Sequence, residues 1–370
     1  MIISRTPFRI SFFGGGTDYP DWYRRHGGAV LATTINKYCY ISCRYLPPFF
    51  DHKYRVVYSR IEDRTSVDEI LHPPVREALR YLNFDQGVEI HHDGDLPARS
   101  GLGSSSAFTV GLLNALYALR GVMVDKSELA RKAIYLEQER LNEAVGSQDQ
   151  TLAAYGGLNH IEFLQNGEVK VNPVTLRPDL IKELNAHLML FFTGVSRTAS
   201  AVVREYLPEV VAKERQLTLM GEMVNESLAL LRNGEDLERF GKLLHESWQV
   251  KRSLSPKIST SHVDEVYAAG LSAGAVGGKL IGAGGGGFVL LFVPPDRQAR
   301  VMERLRDLVH VPVKFEFSGS RIIFFDPEED YSEQARLWEA RSRLAQPPGS
   351  ARLAATTPKL QPIARRKRRA

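Results

Sequence analysis

The segment Pro97-Ala-Arg-Ser-Gly-Leu-Gly-Ser-Ser-Ser-Ala107 constrains this chain more than any other stretch. It follows a short strand-like run, Val88–His92, and precedes apolar residues at helical spacing, Phe108, Leu112, Leu116 and Leu119. Gly101 and Gly103 therefore stand just before a helix N-terminus lined with serines. The first N–H groups of a helix have no partner within it, and the helix dipole is positive at that end. Such backbone cradles an anion, and the phosphates of a nucleotide fit it. Ser104, Ser105 and Ser106 add hydroxyls for phosphate contacts or for a Mg²⁺ ion. A serine cap after a glycine turn explains any single Gly-x-Gly, but the whole string favours a phosphate loop. Its nucleotide contacts are expected at Pro97, Ser100, Gly101, Leu102, Gly103, Ser104, Ser105 and Ser106.

Two further glycine-rich segments flank this loop in sequence. Gly282-Ala-Gly-Gly-Gly-Gly287 contains Gly-x-Gly-x-x-Gly, yet the residues that follow, Phe288–Val293, read as a strand. A dinucleotide fingerprint needs a helix there, so the segment is expected instead to be backbone packed tightly against a neighbour, such as the phosphate loop. No Gly-x-x-x-x-Gly-Lys-[Ser/Thr] occurs, which argues against a P-loop nucleotide enzyme. The first segment, Arg5-Thr-Pro-Phe-Arg-Ile-Ser-Phe-Phe-Gly-Gly-Gly-Thr-Asp-Tyr19, places Arg9 near a strand and Asp18 after a glycine turn.

The pattern along the chain is α+β in two halves that meet near residue 185. Residues 2–60 are strand-rich, helices are expected at about 126–141 and 147–155, and strands at Gly157–Phe163 and Val169–Val174. A buried strand at Leu188–Phe192 leads into helical stretches at 198–232 and 236–250. The last third alternates helices at 262–273 and 295–309 with strands at Phe288–Val293, Val313–Phe317 and Arg321–Phe325. The division expected is 1–185, 186–327 and a terminal piece 328–370, charged and helical at first and without order after about 346.

A net charge of +5 and a pI near 9.1 would ordinarily suggest a nucleic-acid or membrane partner. The excess is local. Residues 340–370 hold nine Lys/Arg and no acid, which leaves 39 basic against 43 acidic side chains in the rest. A nucleic-acid partner is therefore not expected. Two cysteines, Cys39 and Cys43, make neither a disulfide framework nor a metal spacing and read as strand positions. No apolar run approaches the roughly 20 residues that span a bilayer, and the opening residues read as strand, so a soluble cytoplasmic protein is expected.

The three glycine-rich strings, in this order, resemble the three motifs of the GHMP small-molecule kinases, the family of galactokinase, homoserine kinase, mevalonate kinase and phosphomevalonate kinase, over about residues 1–325. The resemblance implies a ribosomal-protein-S5-like α/β domain followed by a ferredoxin-like α/β domain, with ATP and Mg²⁺. Leu136-Glu-Gln-Glu-Arg-Leu-Asn-Glu-Ala-Val-Gly-Ser-Gln-Asp-Gln150 is similar to the galactokinase segment that carries the base. Carried over, Asp149 is the catalytic aspartate, Arg9 the arginine beside it, and Glu137 with Ser105 the Mg²⁺ ligands; Glu139 is a weaker metal candidate. A carboxylate suits the proton of an attacking hydroxyl, and a neighbouring arginine suits charge on the acceptor oxygen and the γ-phosphate.

Galactokinase has Glu-His where this chain has Gly15 and Gly16, which argues against galactose. Thr17 and Asp18 are retained, and Asp18 is a candidate ligand of a sugar hydroxyl. The resemblance implies a sugar kinase acting on an anomeric hydroxyl, with a sugar phosphate as substrate. Gly15, Gly16, Thr17, Asp18, Gly284 and Gly285 are expected at the substrate, and Arg197 as anchor of its distal phosphate, with Arg99, Arg24 and Lys37 behind it. Kinases of L-fucose or of a uronic acid remain as alternatives, as does a non-catalytic sugar- or nucleotide-binding regulator. A homodimer is left open.

Overall fold

The computed structural model describes residues 1–98, 100–195, 213–234 and 236–326, and beyond them 331, 333–334 and 336–337. Thirteen strands fall in two sheets among these residues: β1 (Ile2–Phe13), β2 (Gly28–Tyr45), β3 (Tyr54–Val57), β4 (Ile61–Arg64), β5 (Val88–Gly94), β6 (Leu158–Phe163), β7 (Val169–Pro173), β8 (Leu188–Phe192), β9 (Gly277–Leu280), β10 (Phe288–Phe292), β11 (Val309–Val311), β12 (Phe315–Glu316) and β13 (Arg321–Phe325).

The larger sheet runs β13-β1-β2-β5-β3-β4, with β6 and β12 also on β2 and β7 on β6. Strand β2 is long enough to serve four partners because its β-branched and aromatic residues continue without a breaker from Ala29 to Tyr45. Cys39 and Cys43 lie buried within it, as expected. The helix Ser104–Leu119 lies on β1 and β2, where Gly111 has no room for a Cβ beside Thr6 Oγ1 (2.8 Å) and accepts a hydrogen bond from Ser4 Oγ through its carbonyl. Val110, Leu112, Leu113 and Leu116 are all buried, because Lys126–Tyr135 and Gln148–Tyr155 cover the helix from the other side. A helix apolar all round is a central helix.

The smaller sheet has the order β11-β8-β10-β9, all antiparallel. Helices Glu214–Asn233, Leu237–Leu254 and Ser261–Ser272 separate its first two strands in chain order, and Gln298–Arg304 its last two. That is the ferredoxin-like βαββαβ arrangement.

Several boundaries differ from the sequence reading. The helix expected at 126–141 ends its regular turns at Tyr135 and continues as a π-helical turn over Leu136–Arg140, a distortion that periodicity cannot report. The stretch 295–309 holds only Gln298–Arg304 as α-helix after a short 3₁₀ turn, and its end is already β11. The chain also does not stay in the second unit to 327. Strand β12 pairs with β2 (Phe315 opposite Ile35) and β13 with β1 (Ile2 opposite Phe325), so the last strands complete the first sheet. Alternation shows that a segment is a strand and says nothing about its partner. The first part of the helix expected over 198–232, as far as 212, and the terminal piece from 328 lie outside the described residues, apart from isolated positions of the latter.

Candidate active site

The phosphate loop joins β5 to the helix Ser104–Leu119, whose N-cap Gly103 is left-handed (φ 74°). Gly101 is also left-handed (φ 86°), and a Cβ there would fall 2.4 Å from Ile281 O. The third glycine-rich segment is what presses on it. A Cβ on Gly282 would lie 2.6 Å from Gly101 Cα, and one on Gly287 2.3 Å from Ser100 O. Gly282 and Gly287 thus back the phosphate loop, as the sequence suggested for this segment. Gly284 and Gly285, expected at the substrate, instead pack on Ile258: a Gly284 Cβ would meet its Cα at 2.8 Å, and Gly285 N donates to its carbonyl at 3.0 Å. The backbone that reaches the cleft there is Gly282 and Ala283.

The cleft, about 1050 Å³, runs along the phosphate loop and brings the first motif, the loop and the Asp149 turn together. Arg9 leaves β1 and meets Asp149 in a two-pronged ion pair, Nε to Oδ1 at 2.7 Å and Nη2 to Oδ2 at 2.6 Å, while Nη1 donates to Gly101 O at 2.5 Å. Arg9 is buried, and the Asp149 side chain keeps 23% exposure, so the carboxylate remains reachable from the cleft. Two planar N–H···O bonds fix its orientation. Asp149 stands in the first turn of Gln148–Tyr155, where the helix dipole favours an anion. The turn before it is held by Gln138 Nε2, which donates to Val145 O and Ser147 Oγ.

Asp18 lies buried on the same cleft, accepting from Gly16 N at 2.9 Å and Gln148 N at 3.4 Å. Burial, reinforced by the nearby Asp149, pushes its carboxyl above the ordinary range against the pull of these N–H groups. Gly146 has to be glycine, since a Cβ would sit 1.9 Å from Asp18 Oδ2. Gly15 and Gly16 line the hollow beside it. Thr17 does not: its hydroxyl is tied to Gly14 O and Ala29 O and braces the turn. Ser11 Oγ and Gln148 Oε1 face the cleft, buried and without a hydrogen-bond partner among the described residues.

Of the loop residues, Leu102 is core and its carbonyl accepts from Arg9 N. Ser100 is buried, and Pro97 is exposed. Arg197 and Arg99 lie outside the described residues. The serine that meets Glu137 is Ser106, Oγ to Oε2 at 2.9 Å, whereas Ser105 is exposed at the cleft. Ser106 points inward because the helix turns it toward the π-helical segment. Gln150 Nε2 also donates to Glu137 Oε2, and Oε1 is buried without a hydrogen-bond partner among the described residues. An orphaned carboxylate oxygen beside a serine hydroxyl fits Mg²⁺, which usually takes one or two protein ligands and completes its shell with phosphates and water. No cluster of three His, Cys, Asp or Glu side chains that could hold a metal ion exists among the described residues.

Burial pushes Glu137 from 4.5 up to about 7, outweighing its hydrogen bonds. Its stabilising contribution is therefore complete below pH 4.5 and lost as pH rises through about 7. Without divalent cations, Glu137→Gln should gain thermal stability relative to the parent protein between these limits, and added Mg²⁺ should shrink the difference. Melting curves that stay parallel across that range would contradict this.

Three groups escaped the sequence reading. Lys251 Nζ donates to Gly282 O at 2.6 Å, and Lys279 Nζ to Phe12 O at 2.8 Å; both lysines are buried at the cleft. Their signal was a lysine on an apolar pattern, Lys251 three residues after Trp248 and Lys279 just before Leu280-Ile281. At the other end of the cleft, Tyr58, His72, His92 and Phe108 form a ring cluster, with centroids 4.7 Å apart for Tyr58–His72, 4.9 Å for His72–Phe108 and 5.1 Å for His92–Phe108.

The family models "GHMP kinases N terminal domain" and "GHMP kinases C terminal" match residues 73–157 and 214–310. The chain belongs to the GHMP kinases, and it is a phosphotransferase of that type. A Campylobacter jejuni D-glycero-alpha-D-manno-heptose 7-phosphate kinase is 29% identical over 82% of this chain and 93% of its own length. The L-fucokinase/L-fucose-1-P guanylyltransferase of Bacteroides fragilis is 28% identical over 82% of this chain and 36% of its own. A D-glycero-D-manno-heptose 1-phosphate kinase structure from Bacteroides thetaiotaomicron superposes with a TM-score of 0.71 at 24% identity, covering 88% of this chain and all of that one, a likeness of fold. No described helix is long and apolar enough to cross a membrane.

Proposed function

We propose that the chain is an ATP-dependent sugar kinase that phosphorylates the anomeric hydroxyl of D-glycero-D-manno-heptose 7-phosphate, giving the 1,7-bisphosphate that feeds nucleotide-activated heptose for surface polysaccharide. The observation that carries it is the hollow beside the Arg9–Asp149 pair, floored by Gly15 and Gly16 and bordered by Asp18 and the unpartnered Ser11 Oγ and Gln148 Oε1. Buried polar atoms without partners sit where a ligand supplies them. Two of them beside the Asp18 carboxylate around one hollow suit a polyhydroxylated acceptor.

Asp149, held by Arg9, takes the proton of the attacking hydroxyl. The phosphate loop and the dipole of Ser104–Leu119 hold the ATP phosphates. Glu137 and Ser106, with Ser105 at the cleft, would hold Mg²⁺, which supplies charge neutralisation on the phosphates when bound. Arg197 is the proposed anchor of the distal phosphate. The relative from Campylobacter jejuni supports the heptose reading, and the Bacteroides fragilis relative supports L-fucose as the second one.

ADP release measured over a panel of heptose, fucose, a uronic acid, hexoses and their terminal phosphates tests this directly. Highest kcat/KM on heptose 7-phosphate is the expected result, and higher kcat/KM on a free sugar would overturn it. Gly15 offers a second check. Its φ is unstrained, and a Cβ would make only ordinary contacts, 3.5 Å to Ser11 Oγ and 3.7 Å to Gln148 Nε2. Gly15→Leu should therefore fold and project into the hollow, raising KM for the sugar by about tenfold or more, some 1.4 kcal/mol, with KM for ATP unchanged. Equal effects on both substrates would place the acceptor elsewhere.

A further inference from the structure

We propose that Lys251 is a second catalytic cation, reaching from the C-terminal unit to a non-bridging oxygen of the phosphoryl group in transit, across the cleft from Arg9. This rests on the kinase reading and deepens it.

Lys251 occupies the last turn of Leu237–Leu254, on the buried stripe of Leu244, Trp248 and Leu254. A lysine is almost never fully buried without a counter-charge. Yet its one hydrogen bond is to a neutral carbonyl, Gly282 O, and no carboxylate forms an ion pair with it among the described residues. The two carboxylates of the cleft that act on it, Asp149 and Asp18, are engaged elsewhere, Asp149 by Arg9 and Asp18 by the N–H groups of Gly16 and Gln148. An ammonium with two N–H groups still unmatched lies on the same cleft as the base and the phosphate loop.

Its anchor also fixes where it can reach. Gly282 abuts Gly101, the residue whose carbonyl receives Arg9 Nη1, so Lys251 and Arg9 hold the two backbone strands that meet behind the phosphates. Arg9 spends three of its donors on Asp149 and Gly101, which makes it chiefly the orienter of the base. Charge that spreads over the equatorial oxygens during transfer needs another cation, and Lys251 is placed to supply it.

The charged groups facing Lys251 are Arg9 from β1, Asp18 and Asp149, and Lys279 from β9. Burial first, then Arg9, brings Lys251 down to about 8 against the opposing pull of Asp18 and Asp149. Lys279 is likewise lowered well below the ordinary lysine range, by burial and by Lys251 and Arg9. A γ-phosphate beside Lys251 would raise its affinity for the proton.

Calorimetry of Mg·ATP and Mg·ADP binding to the full chain tests this without any acceptor sugar. Lys251→Met should bind ATP about tenfold more weakly and ADP within about twofold of the parent, the loss of one charge-assisted hydrogen bond to the γ-phosphate. At pH 8.5, in buffers of different ionisation enthalpy, the parent should take up a proton on binding ATP but not ADP, and Lys251→Met should not. Lys251→Arg should keep the ATP affinity and lose the proton uptake, and in turnover it should restore kcat that Lys251→Met loses. Equal weakening of ATP and ADP, or of neither, overturns the inference and leaves Lys251 a clamp on Gly282. A parent protein that binds neither nucleotide overturns the kinase reading itself.

Discussion

Asp149→Asn should abolish sugar-dependent ADP release, by about a thousandfold, while ATP binding stays within about twofold. The amide cannot accept the acceptor's proton, and it presents N–H groups to a guanidinium that now has one acceptor oxygen where it had two. The phosphate loop is left intact, because it is tied to this pair through Arg9, which donates to Gly101 O and Leu102 O, and meets Asp149 only in the close approach of Gly103, whose Cβ would lie 3.4 Å from Asp149 Oδ2. Initial rates on the best acceptor, paired with nucleotide titration, read the two effects separately. Retention of a tenth or more of kcat would remove Asp149 as the base. Loss of nucleotide binding in parallel would assign it a structural role instead.

Gly101→Ala should cost nucleotide binding at least about a hundredfold and lower the melting temperature by several degrees, since the added methyl meets both a conformational and a steric obstacle. The backbone there is left-handed at φ 86°, and the Cβ would lie 2.4 Å from Ile281 O. That carbonyl belongs to backbone and cannot swing aside like the end of a flexible side chain. Relief has to come from moving the phosphate loop away from the 281–287 segment, which also pulls on Arg9 Nη1. Gly121→Ala is the control: it shares a positive φ of 68°, but a Cβ there meets nothing within 4 Å. It should lose stability without losing ATP affinity. If both variants bind ATP normally, tight backing of the loop is not required for nucleotide binding.

Much of this site was legible in the chain. Gly101, Gly103 and the serines declared an anion cradle through spacing alone, because a helix N-terminus is a local structure and its chemistry is written in consecutive residues. The pairing of Arg9 with Asp149, separated by 140 positions, was reached through resemblance and not through any local rule. Ser106 in place of Ser105 beside Glu137 could not be read, since neighbouring serines on a helix differ only in the direction that the first turn gives them. Lys251 and Lys279 were not singled out, because only packing shows that they are buried at the cleft.

The sequence by itself determined the local elements: which segments become strands or helices, where glycine permits left-handed backbone, and that residues 340–370 carry the basic excess. Only the tertiary structure decided what those elements meet. It returned β12 and β13 to the first sheet, set Gly284 and Gly285 on Ile258 and off the cleft lining, and gathered Arg9, Asp18, Asp149, Lys251 and Lys279 on one cleft. The reason is physical. Backbone conformation is set by neighbours in the chain, whereas burial, and with it the cost or use of a charge, is set by residues that only folding brings within a few ångströms.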